Sequence, residues 1–282
     1  MELRAFALQA LLATDVNVKC AVLSSISDDV DVDGRREFIV PTGIPGRPEK
    51  PELIAPGKVG RRSMVTIEGR AILIHALAHI EMNAINLAAD ILWRFSGMPD
   101  EFYRDWLKVA KEEAYHFQLL QSHLQAMGYH YGSFPAHNSL WEMAEKTCDD
   151  LLARLALVPR TLEARGLDVT PGLSVKLAQA GDQAGANILS IIYQDEIGHV
   201  AIGNYWYKSL CDAQGVDTII TYARLAEQYT APKLRGPFNL DGRRAAGFSD
   251  VELQALQAQD QNLVAASQKK GSEAGTSEPC ST

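Results

Sequence analysis

The chain has few of the features that mark a secreted, membrane-bound or nucleic-acid-binding protein. It holds only four cysteines, Cys20, Cys148, Cys211 and Cys280, scattered without metal-ligand spacing. That excludes a disulfide framework or a thiolate metal site and leads us to expect free thiols in a reducing, cytoplasmic setting. No unbroken apolar run is long enough to cross a bilayer, so no membrane span is expected. The N-terminal stretch alternates Glu2, Arg4 and Asp15 with apolar residues and lacks a basic-then-apolar signal pattern. Basic residues are dispersed: net charge is −8, and tight pairs near apolar segments occur only at Arg61-Arg62 and Arg243-Arg244. A general attraction to nucleic acid or to an anionic membrane is therefore not expected. Period-two alternation is almost absent, which excludes an extensive sheet.

What is present is a chain of 282 residues, 46% hydrophobic and 22% charged, able to bury a substantial core as one large domain or two small ones. Residues 2–13 read as a short helix closed by Thr14-Asp15. From about 36 to 63, five prolines (Pro41, Pro45, Pro48, Pro51, Pro56), with Gly43, Gly46 and Gly57, predict an extended arm lying over the surface. Four long helices should follow. The first covers 64–96, ended by Gly97-Met98-Pro99, and the second covers 100–127, stopped at Gly128. The third covers about 140–165, kinked by Pro159 and stopped at Gly166; the fourth covers about 172–211, loosened by Gly181 and Gly185. Shorter helices are expected near 216–229 and 249–266. The fold class is thus all-α. An N-terminal helix and wrapping arm occupy 1–63, a four-helix bundle 64–212, a helical extension 213–267 and a disordered tail 268–282.

The motif that organises this pattern is Glu-x-x-His, at Glu113–His116 and again at Glu196–His199. On a helix, residues three apart lie about one turn apart on one face, so each motif turns a carboxylate and an imidazole toward one point. Chance alone gives about 0.4 such matches for 17 Glu and 7 His in this length, so two matches carry little weight by themselves. The weight comes from Glu81, 32 residues before Glu113, and Glu163, 33 residues before Glu196. The chain therefore repeats a helical hairpin carrying Glu, then Glu-x-x-His, the ligand pattern of di-metal carboxylate bundles. Four buried Glu without counter-charge would be prohibitive among Leu, Ile, Val, Ala and aromatic neighbours, and metal ions supply that charge.

At the first motif Glu113 shares its face with Trp106, Ala110, Phe117 and Leu120, whereas Glu112 sits with Asp105 and Lys108, so Glu113 is the inward acid. Glu196 shares a face with Leu189, Ile192 and Val200, with Asp195 offset beside it. Metal-bound histidine ordinarily donates its other ring N–H to a carboxylate, and Asp195 and Glu112 are candidates for that supporting role, Asp195 the better one. Glu163 is less sharply marked, because Glu145 and Asp149 share roughly its face and Arg160 can pair with it. Tyr115 and Tyr193 are candidates for redox or hydrogen-bonding roles beside the metals, although core tyrosines are commoner. His75 and His79 lie well round the helix from Glu81 and are expected on a polar flank. Glu68 suits the start of its helix.

Glu81, Glu113-x-x-His116, Glu163 and Glu196-x-x-His199 together resemble the ferritin-like di-iron carboxylate superfamily. The segments 78–84, 112–117 and 195–199 are more closely similar to the ferritin-like family DUF455, itself distantly similar to di-iron tRNA hydroxylases. The resemblance implies a ferritin-like four-helix bundle holding two iron ions, or manganese or a mixed pair, at those six positions. It also implies O2 as co-substrate, an electron-donor protein, and oxidation or hydroxylation of a substrate that it does not name. The alternative it leaves is ferritin-like iron binding and oxidation without an organic substrate. A tRNA substrate follows only by analogy of fold and runs against the net charge. The oligomeric state is open, a homodimer included.

Overall fold

The computed structural model describes residues 1–58 and 63–274. The protein is all-α, and among the described residues the sole extended pairing is a bridge between Leu53 and Ala136. Two short helices, α1 (Leu3–Leu12) and α2 (Val16–Ser25), come first, followed by the proline-rich arm. The arm is pinned where Ile54 N donates to Ala136 O (2.8 Å) and Ala136 N donates to Glu52 O (2.9 Å). Helix α2 is unexpected. Its buried face carries Lys19, whose Nζ donates to the last carbonyls of α1, Ala10 O and Leu11 O.

Helix α3 (Ile67–Arg94) begins where Thr66 Oγ1 accepts from Gly69 N and ends where Arg4 donates to Leu92 O and Trp93 O. It is long and apolar enough to cross a membrane, but it is largely buried inside the protein. Helix α4 (Asp100–Ala126) returns alongside it, and α1 and α2 pack on α3 and α4. Trp93, Trp106, Phe102 and Phe117 are fully buried in this part of the core.

The expected third helix over 140–165 is instead a series. It comprises α5 (Ser139–Lys146), α6 (Leu151–Leu157), a π-helical turn (Val158–Glu163) and α7 (Ala164–Gln179). The break before α6 follows from side chains that outbid the helix: Thr147 Oγ1 bonds Met143 O, and Asp150 caps α6 through Ala153 N. Pro159 lacks an N–H, and the ladder widens to π geometry there, with Thr161 Oγ1 donating to Ala156 O. Gly166 does not stop the chain, and α7 runs on through Pro171. The proline leaves Leu167 O without its helical donor, and Asn239 Nδ2 supplies one at 3.1 Å.

The true stop is Gly181, at φ +82°, where Asp182 N bonds back to Leu177 O. Helix α8 (Gln183–Gln214) therefore starts eleven residues later than the expected 172, capped by Asp182 through Gly185 N. Helices α3 and α4 form one hairpin, α7 and α8 the other, and the two join along α4 and α8, with α6 also against α8. Close approach is needed at Gly203, where a Cβ would lie 2.6 Å from the Pro159 ring. Helices α9 (Thr218–Gln228), α10 (Leu240–Ala245) and α11 (Asp250–Ala274) complete the described chain. The tail expected to be disordered from 268 is helical through Ala274, and 275–282 lie outside the described residues.

Candidate metal centre

Three helices bring a buried cluster together: Glu81 from α3, Glu113 and His116 from α4, and Glu196 from α8, with ligand atoms all within 4.8 Å of one another. His199 on α8 joins them, its Nδ1 2.9 Å from Glu113 Oε1 and 3.8 Å from Glu196 Oε1. His116 Nδ1 lies 3.3 Å from Glu81 Oε2 and 3.5 Å from Glu113 Oε2. Glu113 thus turns one oxygen to each histidine, while Glu81 and Glu196 flank it on either side. Both histidines are fully buried, as is Glu113 at 1% exposure.

The outer edge of each imidazole is held from the opposite helix. His116 Nε2 is 2.9 Å from Asp195 Oδ2, and His199 Nε2 is 2.9 Å from Glu112 Oε2. An Nε2–H donated outward leaves the Nδ1 lone pair facing the carboxylates, the arrangement a metal-binding histidine needs. On the inner side Glu81 Oε2, Glu113 Oε2, Glu196 Oε2 and both Nδ1 atoms are buried without a hydrogen-bond partner. Five buried polar atoms left this way around one point could hold a metal ion.

A family model described as "Protein of unknown function (DUF455)" matches residues 12–254, which include every residue of this cluster. The chain belongs to the DUF455 family. A Haemophilus influenzae (strain ATCC 51907 / DSM 11121 / KW20 / Rd) protein described as "Uncharacterized protein" is 44% identical over 268 residues, covering 90% of this chain and 93% of its own. No solved structure matches the DUF455 chain.

Without metal, the charges of this DUF455 cluster compensate one another by proton uptake. Burial opposes a charge on His116, but the neighbouring carboxylates of Glu113 and Glu81 outweigh it and lift the imidazole to about 11. Burial is likewise overcome at His199, which Glu113 and Glu112 raise well above the usual range. Burial would raise Glu113, yet His199 and His116 hold it well below the usual carboxylate range. Burial first, then the charge of Glu113, raises Glu81 and Glu196. Metal ions at this point would replace the protons on the histidines.

Glu163 ends the π-helical turn and is partly buried. Burial, then the charges of Glu196 and Glu113, push its carboxyl well above the usual range, which puts it within electrostatic reach of the cluster though outside the tight group of four. Its two rival acids and its expected partner Arg160 are engaged elsewhere or exposed. Glu145 accepts from Trp141 Nε1, Asp149 is exposed, and Arg160 bonds Glu252 and Asn204 instead of Glu163.

Tyr115 is 48% exposed, and its ring centroid lies 6.4 Å from that of His116. The Tyr193 hydroxyl accepts from Asn239 Nδ2 at 2.9 Å, which commits it to the α10 cap. His75 and His79 anchor the loop after α4: Gly132 N donates to His75 Nε2 (2.9 Å), and His79 bonds Tyr131 and His137 O. The crossed pairing of the outer acids was missed in the sequence. Its one signal is that each acid directly precedes its own Glu-x-x-His, which on a helix swings it toward the neighbouring element.

Proposed function

We propose that this DUF455 protein is a ferritin-like di-metal carboxylate oxidoreductase that uses O2 to hydroxylate or oxidise a substrate. Glu81, Glu113, His116, Glu163, Glu196 and His199 would hold two iron ions, or manganese or a mixed pair, which the oxygen and imidazole donor set suits equally. The observation that carries the reading is Glu113, a buried carboxylate with one oxygen toward each histidine, as a ligand shared by two cations would stand.

Metal ions held by these residues would supply redox equivalents and positions for O2. The chain's own contribution is to fix and to exclude. Asp195 and Glu112 hold the imidazoles with Nδ1 inward. Ala110 and Phe117 on α4 and Ile192 and Val200 on α8 are buried apolar neighbours in sequence of the ligand motifs and would help keep water from the centre. Electrons would come from a donor protein. A second reading is iron oxidation without an organic substrate; none of the six residues lines the cavity beside Tyr131 or the one beside Tyr222.

Elemental analysis of protein purified from its native host, beside the Glu113→Ala and Glu196→Ala variants, tests the proposal. About two irons per chain, lost in both variants, is the expected result. Absence of metal from the parent, with variants equally stable, would overturn it. O2 consumption that needs an added reductant and no iron turnover separates the oxygenase from the iron-oxidising reading.

A further inference from the structure

A cavity of about 500 Å³ lies between α9, the 231–234 segment and α11, away from the metal cluster. That volume lies in the range of small-molecule sites, and its walls are mostly apolar, with Ile219, Ala226, Leu234 and Leu256 among them. Two buried arginines, Arg160 and Arg243, also line it. Their guanidinium carbons stand over one ring, that of Phe248, at 4.7 and 5.4 Å from its centroid.

The charges around these arginines do not balance. Arg160 bonds Glu252, but Lys208 Nζ also lies 3.4 Å from that carboxylate. Burial notwithstanding, Arg160 and Ser249 hold Glu252 down to about 2, so it counts as one full negative charge. Arg243 grips Asp168 through Nε and Nη2, and Arg165 Nη1 lies 3.2 Å from the same carboxylate. Four cations thus share two carboxylates. The nearby acids Asp241 and Asp250 are 97% and 73% exposed, pair with Arg244 and do not line the cavity. Glu227 and Lys233, one acid and one base, also line it. In addition, Arg160 Nε is a buried donor with no hydrogen-bond acceptor.

The geometry points to a binding site for a small apolar monocarboxylate, its carboxylate taken by Arg160 and Arg243 around Phe248 and its apolar body lying along α9 and α11. The partnerless Nε gains an acceptor, the excess positive charge is met, and charge-assisted bonds to guanidinium are among the stronger ones available. The site does not depend on the metal centre.

Calorimetric titration of the full chain with octanoate, beside 1-octanol and octylammonium, tests this. Saturable one-to-one binding of octanoate is expected, roughly tenfold tighter than 1-octanol, with octylammonium weakest. Ala255→Trp, at an exposed helical position lining the cavity, should abolish binding of octanoate by filling the space while leaving the thermal midpoint unchanged. Lys208→Gln, which removes one of the two cations on Glu252, should weaken octanoate about threefold and leave 1-octanol unaltered. No saturable octanoate binding, equal affinity for octylammonium, or octanoate binding that survives Ala255→Trp would each overturn the proposal.

Discussion

Asp195 on α8 holds His116 on α4, its Oδ2 2.9 Å from the histidine Nε2, rather than serving the histidine of its own motif. Asp195 is one-third exposed and His116 fully buried, so this pair reaches from the surface to the cluster. In Asp195→Asn the amide can no longer hold the imidazole as an anion does, and metal affinity should fall about 10- to 100-fold while the fold persists. Competitive titration with a chelator measures it. Unchanged affinity would show that the histidine orientation is set by packing alone.

Glu113 and Glu81 should differ in what they remove. Glu113 faces both histidines, whereas Glu81 approaches His116. Glu113→Ala is therefore expected to lose both metals, and Glu81→Ala to retain about one, on the His199 side. Metal content after equilibrium dialysis distinguishes the two; identical losses would contradict the split.

The loop after α4 should be acid-sensitive. Burial lowers His75 and His79 to about 4 from an ordinary value of 6.5, and both hold that loop as neutral rings. Between pH 6.5 and 4 the unfolded chain binds more protons at these positions, so stability is full above 6.5 and is lost as pH falls toward 4. Each contributes up to about 3 kcal/mol. Denaturant unfolding across this window should show the loss, and His75→Gln should reduce its steepness. A pH-independent midpoint would contradict the assignment.

Gly203 stands where α8 meets the π-helical turn, and an added Cβ would press on Pro159. Gly203→Ala should destabilise the protein by about 1–3 kcal/mol through overpacking, against the small gain alanine ordinarily brings to a helix. It should also lower metal affinity, because the displaced turn carries Glu163. A raised thermal midpoint with normal metal content would refute this.

How much of this was legible depended on whether local chemistry decided the outcome. Helices α3 and α4 could be read because their caps, stops and apolar stripes agree. Helix α2 could not, since a lysine on its buried face breaks the stripe, and its partners are carbonyls of α1 that only the fold supplies. The third segment misled for a related reason. Gly166 and Pro171 are stop signals, overridden by Asn239, which lies 72 residues beyond the carbonyl it satisfies. At the candidate site, the one-turn spacing of Glu-x-x-His brought Glu113, His116, Glu196 and His199 together as the repeat implied. The π geometry at Pro159 changes which way each following side chain faces, so straight-helix reasoning offered Arg160 as the partner of Glu163 when it faces Glu252.

The crossed acids also bear on how the molecule assembles. Residue 116 faces 195 and residue 112 faces 199, so both pairings require one antiparallel alignment of α4 with α8. Slippage by a single turn would part both at once, with no intermediate offset that keeps either. The two crossed contacts thus fix one register between the two hairpins, which are tied together at both outer edges of the cluster.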